Sequence, residues 1–277
     1  MSALRHALKN ANQSLLAELW VTAVEKGKTE LVDVLLQQEG FDPQMNDDWA
    51  IRTAALLGHE SIVIALTGSG SKVNPGAVRN EALMNAADKG HTMIVRYLIS
   101  LPSVDPSDRR NTAIIYATRN GDIDSIKDLM EDPRVDPSDQ RNMAFRGACE
   151  YGRTEVAQML LEDKRVNPAD LDNRAIASAA QNGHVETVKY LLTLPQVNPS
   201  ANKNIAIIVA AQNGHYDIVK LLLQDRRVDP TAQQNKAIGQ AYHFGREKVV
   251  ELLYSDPRVS STLQIANEQR KAEKPEN

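Results

Sequence analysis

The sequence predicts an all-α protein, a solenoid of about eight stacked helix–turn–helix repeats. The 277-residue chain repeats itself with a period of 31 residues, apart from one step of 32 residues between the second and third copies. Within each copy, aliphatic residues recur at helical spacing on both sides of a glycine. We name the copies repeats 1 to 8 after their aligned alanines, which are Ala23, Ala54, Ala86, Ala117, Ala148, Ala179, Ala210 and Ala241.

The same residue types mark the helix boundaries in every repeat. A glycine follows each aligned alanine, as Gly214 follows Ala210, and predicts a left-handed end to a short first helix. The second helix carries aliphatic residues at i, i+3 and i+4 spacing, and should stop before the prolines at Pro102, Pro133, Pro195 and Pro257. An Asn or Asp precedes each first helix from repeat 2 onward and is predicted to cap it. These residues are Asp48, Asn80, Asn111, Asn142, Asn173, Asn204 and Asn235.

The repeat divides the chain into three parts. Residues 1–18 lie outside it and are expected to form an N-terminal capping segment. Residues 19–260 hold the eight repeats, and residues 261–277 should form a C-terminal cap and a disordered tail.

The ends and one connector depart from the pattern. Ser2–Lys9 is predicted to be a short helix, and Ser14 to be the N-cap of the next helix. Leu263 and Ile265 should seal the last repeat, with disorder expected over Lys271–Asn277. Repeat 2 carries Gly68–Lys72 in place of the usual Asp-Pro-Arg, which predicts local flexibility.

Composition limits the class of protein. Apolar residues make up 42% of the chain, enough for a continuous core, and the net charge of −4 argues against a basic nucleic-acid-binding surface. Residues 1–25 lack the apolar centre of a signal peptide, and no apolar run reaches the roughly 20 residues that span a bilayer. We therefore expect a cytoplasmic protein, monomeric, with no membrane or nucleic-acid partner. Cys149 is the only cysteine and should be a small buried core residue.

The chemistry of an enzyme is not apparent in the sequence. Four histidines follow turn glycines, but equivalent residues on stacked helices lie about 8–10 Å apart, too far to share one metal ion. They are expected to form hydrogen bonds within their own turns; they are His59, His91, His184 and His215. Gly68–Lys72 lacks the spacing of a phosphate-binding loop. We predict a non-catalytic protein with no cofactor and no metal.

One segment, Asn-Gly-His-Tyr-Asp-Ile-Val-Lys-Leu-Leu-Leu at 213–223, resembles the ankyrin repeat, and the resemblance extends over roughly residues 19–260. The family's Thr-Pro-Leu-His opening is replaced by Asn-x-Ala-Ile, and its Gly-Ala-Asp-Val-Asn segment by Asp-x-Arg-Val-Asp-Pro. The β-hairpin fingers of the family are therefore expected to be shortened or irregular. This variant is similar to repeats from amoebae, their giant viruses and bacteria living inside them. That similarity implies a secreted effector, or effector-regulator, that acts in a host cytosol or inhibits an enzyme.

The resemblance also implies where a partner protein would bind. In this family the two residues before each turn glycine, together with the loop tips, line a concave binding face. Arginines in the loops of repeats 3 to 5 form a predicted basic ridge, which suggests a partner with an acidic patch. The predicted protein-binding residues are Leu56, Leu57, Lys89, Arg109, Arg110, Arg119, Arg141, Glu150, Tyr151, His243 and Phe244. A structural scaffold that self-associates through its end repeats, near His243 and Phe244, is the alternative function.

Overall fold

The fold was described from a computed structural model, which covers residue 8, residues 11–68 and residues 70–272. The described residues form seventeen helices and no strand, and none of these helices is long and apolar enough to cross a bilayer. The chain divides into two compact halves, residues 1–139 and 140–277. Each half is a stack of helix pairs, so the predicted all-α repeat architecture is confirmed in each.

The N-terminal half holds repeats 1 to 4, with two helices per repeat. Helix α1 crosses residue 18, the expected border of the capping segment. Its N-cap is Asn12, whose Oδ1 accepts from the Leu15 amide at 2.8 Å, so the prediction of Ser14 as the cap was wrong. The helices are α1 Gln13–Glu25, α2 Thr29–Leu36, α3 Met45–Leu57, α4 Glu60–Leu66, α5 Ala77–Lys89, α6 Thr92–Ile99, α7 Asp108–Asn120 and α8 Ile123–Met130.

The C-terminal half holds repeats 5 to 8 and one additional helix. The second helices end before the prolines as predicted, but Pro257 also begins the long last helix, where a proline's fixed φ suits the first turn. The helices are α9 Asp139–Glu150, α10 Thr154–Leu160, α11 Asp170–Gln181, α12 Val185–Thr193, α13 Ala201–Asn213, α14 Tyr216–Gln224, α15 Ala232–His243, α16 Glu247–Ser255 and α17 Pro257–Ala272.

The last helix closes repeat 8 differently from the prediction. Val259 is fully buried, and the Thr262 hydroxyl donates to Asn235 Oδ1 at 3.0 Å. Leu263 is half-buried, but Ile265 is 54% exposed, so its expected sealing role was wrong. Lys271 and Ala272 belong to α17 rather than to a disordered tail. Residues 273–277, and the Ser2–Lys9 helix apart from Leu8, lie outside the described residues.

A short left-handed turn forms the beginning of the first helix in repeats 2 to 8, within the bounds given above. In repeat 4, Arg109, Arg110 and Asn111 have φ values of 49°, 58° and 59°, and the Asn111 amide donates to the Ser107 carbonyl at 2.9 Å. Left-handed backbone costs a residue with a side chain roughly 1–2 kcal/mol. Side-chain contacts with the next connector must therefore hold this turn in place.

The side chain of the asparagine that recurs in this turn makes those contacts. The prediction that this side chain caps its own helix was therefore wrong. Asn111 Oδ1 accepts from the Asp136 amide at 2.8 Å, and its Nδ2 donates to Asp139 Oδ2 at 3.0 Å. Asn142 does the same with the Asn167 amide and with Asp170. A single Asn side chain thus ties the start of one helix pair to the connector that follows it.

The Val-Asp-Pro connectors are turns where the ankyrin family has hairpin strands, in line with the expectation of shortened or irregular fingers. In repeats 4, 5, 7 and 8 an aspartate and an arginine two residues apart fix the turn. Arg227 binds Asp225 at 2.6 Å and also donates to the Val197 carbonyl of the preceding connector at 2.8 Å. Arg258 repeats this with Asp256 and the Val228 carbonyl. These arginines link successive connectors by satisfying backbone carbonyls that a strand partner would otherwise satisfy.

At Gly27, Gly58, Gly152 and Gly183, a histidine of the following repeat lies against the turn glycine, a contact that we call the stitch. Gly58 has φ +77°, and a Cβ added to it would lie 2.6 Å from the His91 ring. The His91 Nε2 donates to the Leu56 carbonyl at 3.2 Å. His184 and His215 bind the carbonyls of Glu150 and Gln181 in the same manner. The histidines therefore bond to the preceding repeat, and the prediction of bonds within their own turns was wrong.

The core follows the aligned alanines. All eight are fully buried, as are large aliphatic side chains such as Ile62, Leu98 and Leu222. Cys149 is fully buried too, which confirms its predicted place in the core. Repeat 2 has a polar cleft of about 620 Å³ beside its Gly68–Lys72 segment.

The stitch predicts that two glycines with similar backbones will tolerate alanine differently. Gly58→Ala must accept both left-handed strain and a clash with His91, whereas Gly90→Ala at φ +71° meets no atom within 4 Å. We expect Gly58→Ala to lower the free energy of unfolding by about 1 kcal/mol more than Gly90→Ala does. Urea denaturation followed by circular dichroism measures both values.

A double variant separates the clash from the strain. In a His91→Ala background the ring is gone, so the difference between Gly58→Ala and Gly90→Ala should disappear. A difference that survives in that background would show that the ring does not set the cost.

The connector amides predict a second pair of unequal variants. Asn111→Asp places a carboxylate against Asp139, whereas Asn173→Asp has only Ala201 at the corresponding position. At neutral pH we expect Asn111→Asp to cost about 1–3 kcal/mol of folding free energy and Asn173→Asp clearly less. Repulsion raises the pKa of the new carboxyl, so its excess cost should fall as the pH drops below about 5. Equal costs at every pH from 4 to 7, in thermal denaturation, would contradict the proposed contact.

Candidate functional site

The residues just before the turn glycines lie at the ends of the first helices. In the N-terminal half, helices α3, α5 and α7 end at Leu57, Lys89 and Asn120, and each is followed by a glycine in the left-handed region. Bonds between adjacent repeats fix the backbone here, as the stitch from His91 to the Leu56 carbonyl does. We refer to Leu56, Leu57, Lys89 and Arg119 as the N-terminal face.

Two leucines are the apolar part of the N-terminal face. The side chains of Leu56 and Leu57 are 37% and 45% exposed, although their neighbours Ala54 and Ala55 are fully buried. Lys89 forms an ion pair of 2.9 Å with Asp88 of its own helix end, and the Arg119 guanidinium lies 5.5 Å from the centre of the Tyr116 ring. The exposed pair Leu56 and Leu57 of repeat 2 is therefore followed by one basic side chain in repeat 3, Lys89, and one in repeat 4, Arg119.

The corresponding residues of the C-terminal half form two separate groups. Glu150 and Tyr151 lie at the end of α9, where Tyr151 is 47% exposed. His243 and Phe244 lie at the end of α15 with their ring centres 4.9 Å apart, edge to face, and Phe244 is 44% exposed. The intervening repeats 6 and 7 carry Gln-Asn at these positions.

The asparagines of this position have a structural role. Asn182 Nδ2 donates to the Glu150 carbonyl at 3.2 Å, and Asn213 Nδ2 donates to the Gln181 carbonyl at 3.2 Å. Asn120 in repeat 4 bonds to the carbonyls of Ala87 and Asp88. An asparagine before the glycine thus adds a second stitch between repeats, a role that sequence reasoning missed.

The arginines of the predicted ridge are engaged in contacts between repeats. Arg79 binds Asp108 at 3.2 Å and Arg110 binds Asp139 at 3.1 Å, while Arg109 donates to the Val78 carbonyl at 2.8 Å. Arg141 lies 3.9 Å from Asp170. Arg79, Arg110 and Arg141 thus each have an aspartate of the following repeat beside them, which offsets the positive charge predicted for the ridge.

The ridge and the N-terminal face are also apart. Arg109 and Arg110 lie in the turn that begins α7, and Arg119 lies in the last turn of that helix. The right-handed part of α7 runs from Thr112 past Arg119, and the seven steps between these two residues span about 10 Å at 1.5 Å per residue. The structure therefore does not bring these predicted residues together into one patch.

The contacts of Asp170 lower the pKa of its carboxyl group. The hydrogen bond from Asn142 is the main cause that holds the pKa of Asp170 below its ordinary value, and the Leu171 amide and Arg141 contribute in the same direction. Stability from this group is therefore present above the ordinary aspartate pKa and is lost as the pH falls through the lowered value.

Metal-ligating side chains and the one thiol are groups that could carry out catalysis. In the described part of the chain, no three His, Cys, Asp or Glu side chains are close enough to hold a metal ion. Burial raises the pKa of the Cys149 thiol, which keeps it protonated and unreactive.

Comparison with known proteins gives the family. A model described as "Ankyrin repeats (3 copies)" matches residues 51–141 and 176–263, and one described as "Ankyrin repeats (many copies)" matches residues 148–192. No curated protein matches the chain. The matches cover more than half of the sequence and agree with the helix pairs, turn glycines and 31-residue period seen here. The chain belongs to the ankyrin repeat family.

Proposed function

We propose that this protein is a non-catalytic binding module that holds a partner protein through the N-terminal face. Ankyrin repeats are generally modules of protein–protein interaction. Leu56, Leu57, Lys89 and Arg119 are the residues that we assign to partner contact in this half.

The exposed leucine pair carries the proposal. Leu56 and Leu57 are exposed by 37% and 45% on a helix end that the stitch to His91 makes rigid. Stacking does not require leucine here, because Asn182 and Asn213 occupy the place of Leu57 in other repeats and strengthen the stack. A rigid pair of exposed apolar side chains loses little conformational entropy on binding and gains from burial.

The charges beside the leucines favour a particular kind of partner. Lys89 and Arg119 follow the leucine pair in repeats 3 and 4, so a partner with an apolar side chain bordered by carboxylates is complementary. Charges at the rim of an interface act mainly on the rate of association and on selectivity, whereas burial of the leucines supplies affinity. The carboxylates opposite Lys89 and Arg119 are the acidic patch that we assign to the partner.

The C-terminal half has its own candidate contact. Tyr151 is 47% exposed beside Glu150, whose backbone carbonyl is held by His184 and Asn182. Tyrosine is enriched among residues that dominate binding energy, since it combines a large apolar ring with a hydroxyl. An effector that acts in a host cell, or an inhibitor of an enzyme, would use either contact by binding alone.

The proposal is tested by removing the apolar centre. Partners are first captured on the full chain from cells that express it and identified by mass spectrometry. Leu57→Glu should then weaken binding of a captured protein by about thirtyfold, the change expected when a dominant contact worth about 2 kcal/mol is lost. Isothermal titration calorimetry measures the affinity.

Gln181→Glu is the matched control, since it introduces the same charge before a turn glycine of repeat 6. Its binding should stay within about twofold of that of the unchanged protein, an energy difference of less than 1 kcal/mol. Tyr151→Ala reports separately on the contact in the C-terminal half. If Leu57→Glu and Tyr151→Ala both bind every captured partner as tightly as the unchanged protein does, the proposed face is wrong.

A further inference from the structure

Repeat 8 exposes a residue that the other repeats bury. Tyr242 follows the aligned alanine and is 79% exposed. The equivalent residues of the seven other repeats are all fully buried. They are Val24, Ala55, Ala87, Thr118, Cys149, Ala180 and Ala211.

The second helix of repeat 8 shows the same departure. Val250 is only half-buried, whereas its equivalents, such as Val188 and Val219, are fully buried. Tyr254 is 52% exposed, where the equivalent Leu192 and Leu223 are half-buried. The surface of repeat 8 that corresponds to a stacking face in the earlier repeats is thus largely open.

The turn glycine of repeat 8 has no cover among the described residues, a feature that it shares with Gly90 of repeat 3. Side chains of the following repeat lie against Gly152, Gly183 and Gly214, the last of these being covered by Arg246. No atom lies within 4 Å of a Cβ added to Gly245. Helix α17 follows instead of a ninth repeat, and it packs on α16 while leaving Tyr242 of α15 exposed.

The open face is a cleft of about 670 Å³ whose lining includes Tyr242, His243, Val250, Arg246, Glu247 and Glu251. It combines apolar side chains with one cationic and two anionic groups. None of these three charged side chains forms an ion pair with any other described residue. Because both signs occur on one patch, the patch is complementary to a copy of itself turned about a twofold axis.

We propose that this face, made up of Tyr242, Val250, Tyr254, Arg246, Glu247 and Glu251, is a homodimer interface that docks on the same face of a second copy of the chain. Tyr242 and Val250 of each copy are buried against the other, and Arg246 of each copy pairs with the carboxylates of its partner. A twofold contact buries the open face of both copies, so no further copy can bind there and assembly stops at the dimer. The proposal replaces the monomer expected from the sequence and places Tyr242 beside His243 at the interface, with Phe244 outside the lining of the cleft. It does not depend on partner binding through the N-terminal face.

Sedimentation equilibrium of the full chain, from micromolar to near-millimolar concentration, tests the proposal. The unchanged protein should show a monomer–dimer equilibrium. Tyr242→Ala should raise the dissociation constant of the dimer by about thirtyfold, since two copies of an aromatic contact are lost. Tyr216→Ala is the matched control, because Tyr216 is 40% exposed at the start of α14, outside the open face, and its removal should leave the constant within about twofold.

Glu251→Arg provides a second variant that does not remove an aromatic side chain. It places like charges across the twofold axis and should also weaken the dimer, by about tenfold at low salt and less at high salt. Circular dichroism confirms that each variant folds. A chain that stays monomeric at every concentration overturns the proposal, as does a dimer unaffected by both variants. Continued growth beyond the dimer overturns the closed twofold arrangement.

Discussion

The architecture depends on the contact between a left-handed glycine and the side chain that the next repeat lays across it. The glycine must lack a Cβ both for its φ value and for the approach of the ring, as at Gly58 and His91. The same ring binds the carbonyl that the ending helix leaves unsatisfied. One interaction therefore ends a helix, satisfies its backbone and joins two repeats. In repeat 8, Arg246 replaces histidine and serves the same purpose by donating to the Gln212 carbonyl, whereas Asp122 of repeat 4 leaves Gly90 uncovered.

Much of this fold could be read from the sequence because it is periodic. Eight aligned alanines and glycines predicted the helix pairs, and the burial of Cys149 followed from its position beside Ala148. The partners of the polar side chains could not be read in this way. A histidine or asparagine has the same letter whether it bonds within its own turn or to a residue 25 to 35 positions away, and the distance between stacked repeats decides which. The assignment of Asn111 as a helix cap failed for this reason.

The candidate site was less predictable than the fold. Exposure of Leu57 and Tyr151 agrees with their position before a turn glycine, but the arginines of the predicted ridge could not be judged without the aspartates of the next connector. Arg110 and Asp139 are 29 residues apart in sequence and 3.1 Å apart in the fold. Tyr242 carried a readable signal, a large residue in a column of mostly small ones. That signal can be interpreted only when the equivalent residues of the other repeats are known to be buried.

The Asn–Asp link between connectors has a consequence for how such a gene can change length. Its donor and acceptor lie 28 residues apart, so they belong to neighbouring copies, as Asn80 and Asp108 do. Among repeats 3 to 6, where the link occurs, recombination that adds or removes a whole copy joins the donor of one copy to the acceptor of another and keeps the link. Recombination out of step separates them and leaves a buried amide without a partner. The position of the link thus favours growth and loss of the array by entire copies, and the extra residue of repeat 2 falls in a connector, between helix pairs, where the helix phase is unaffected.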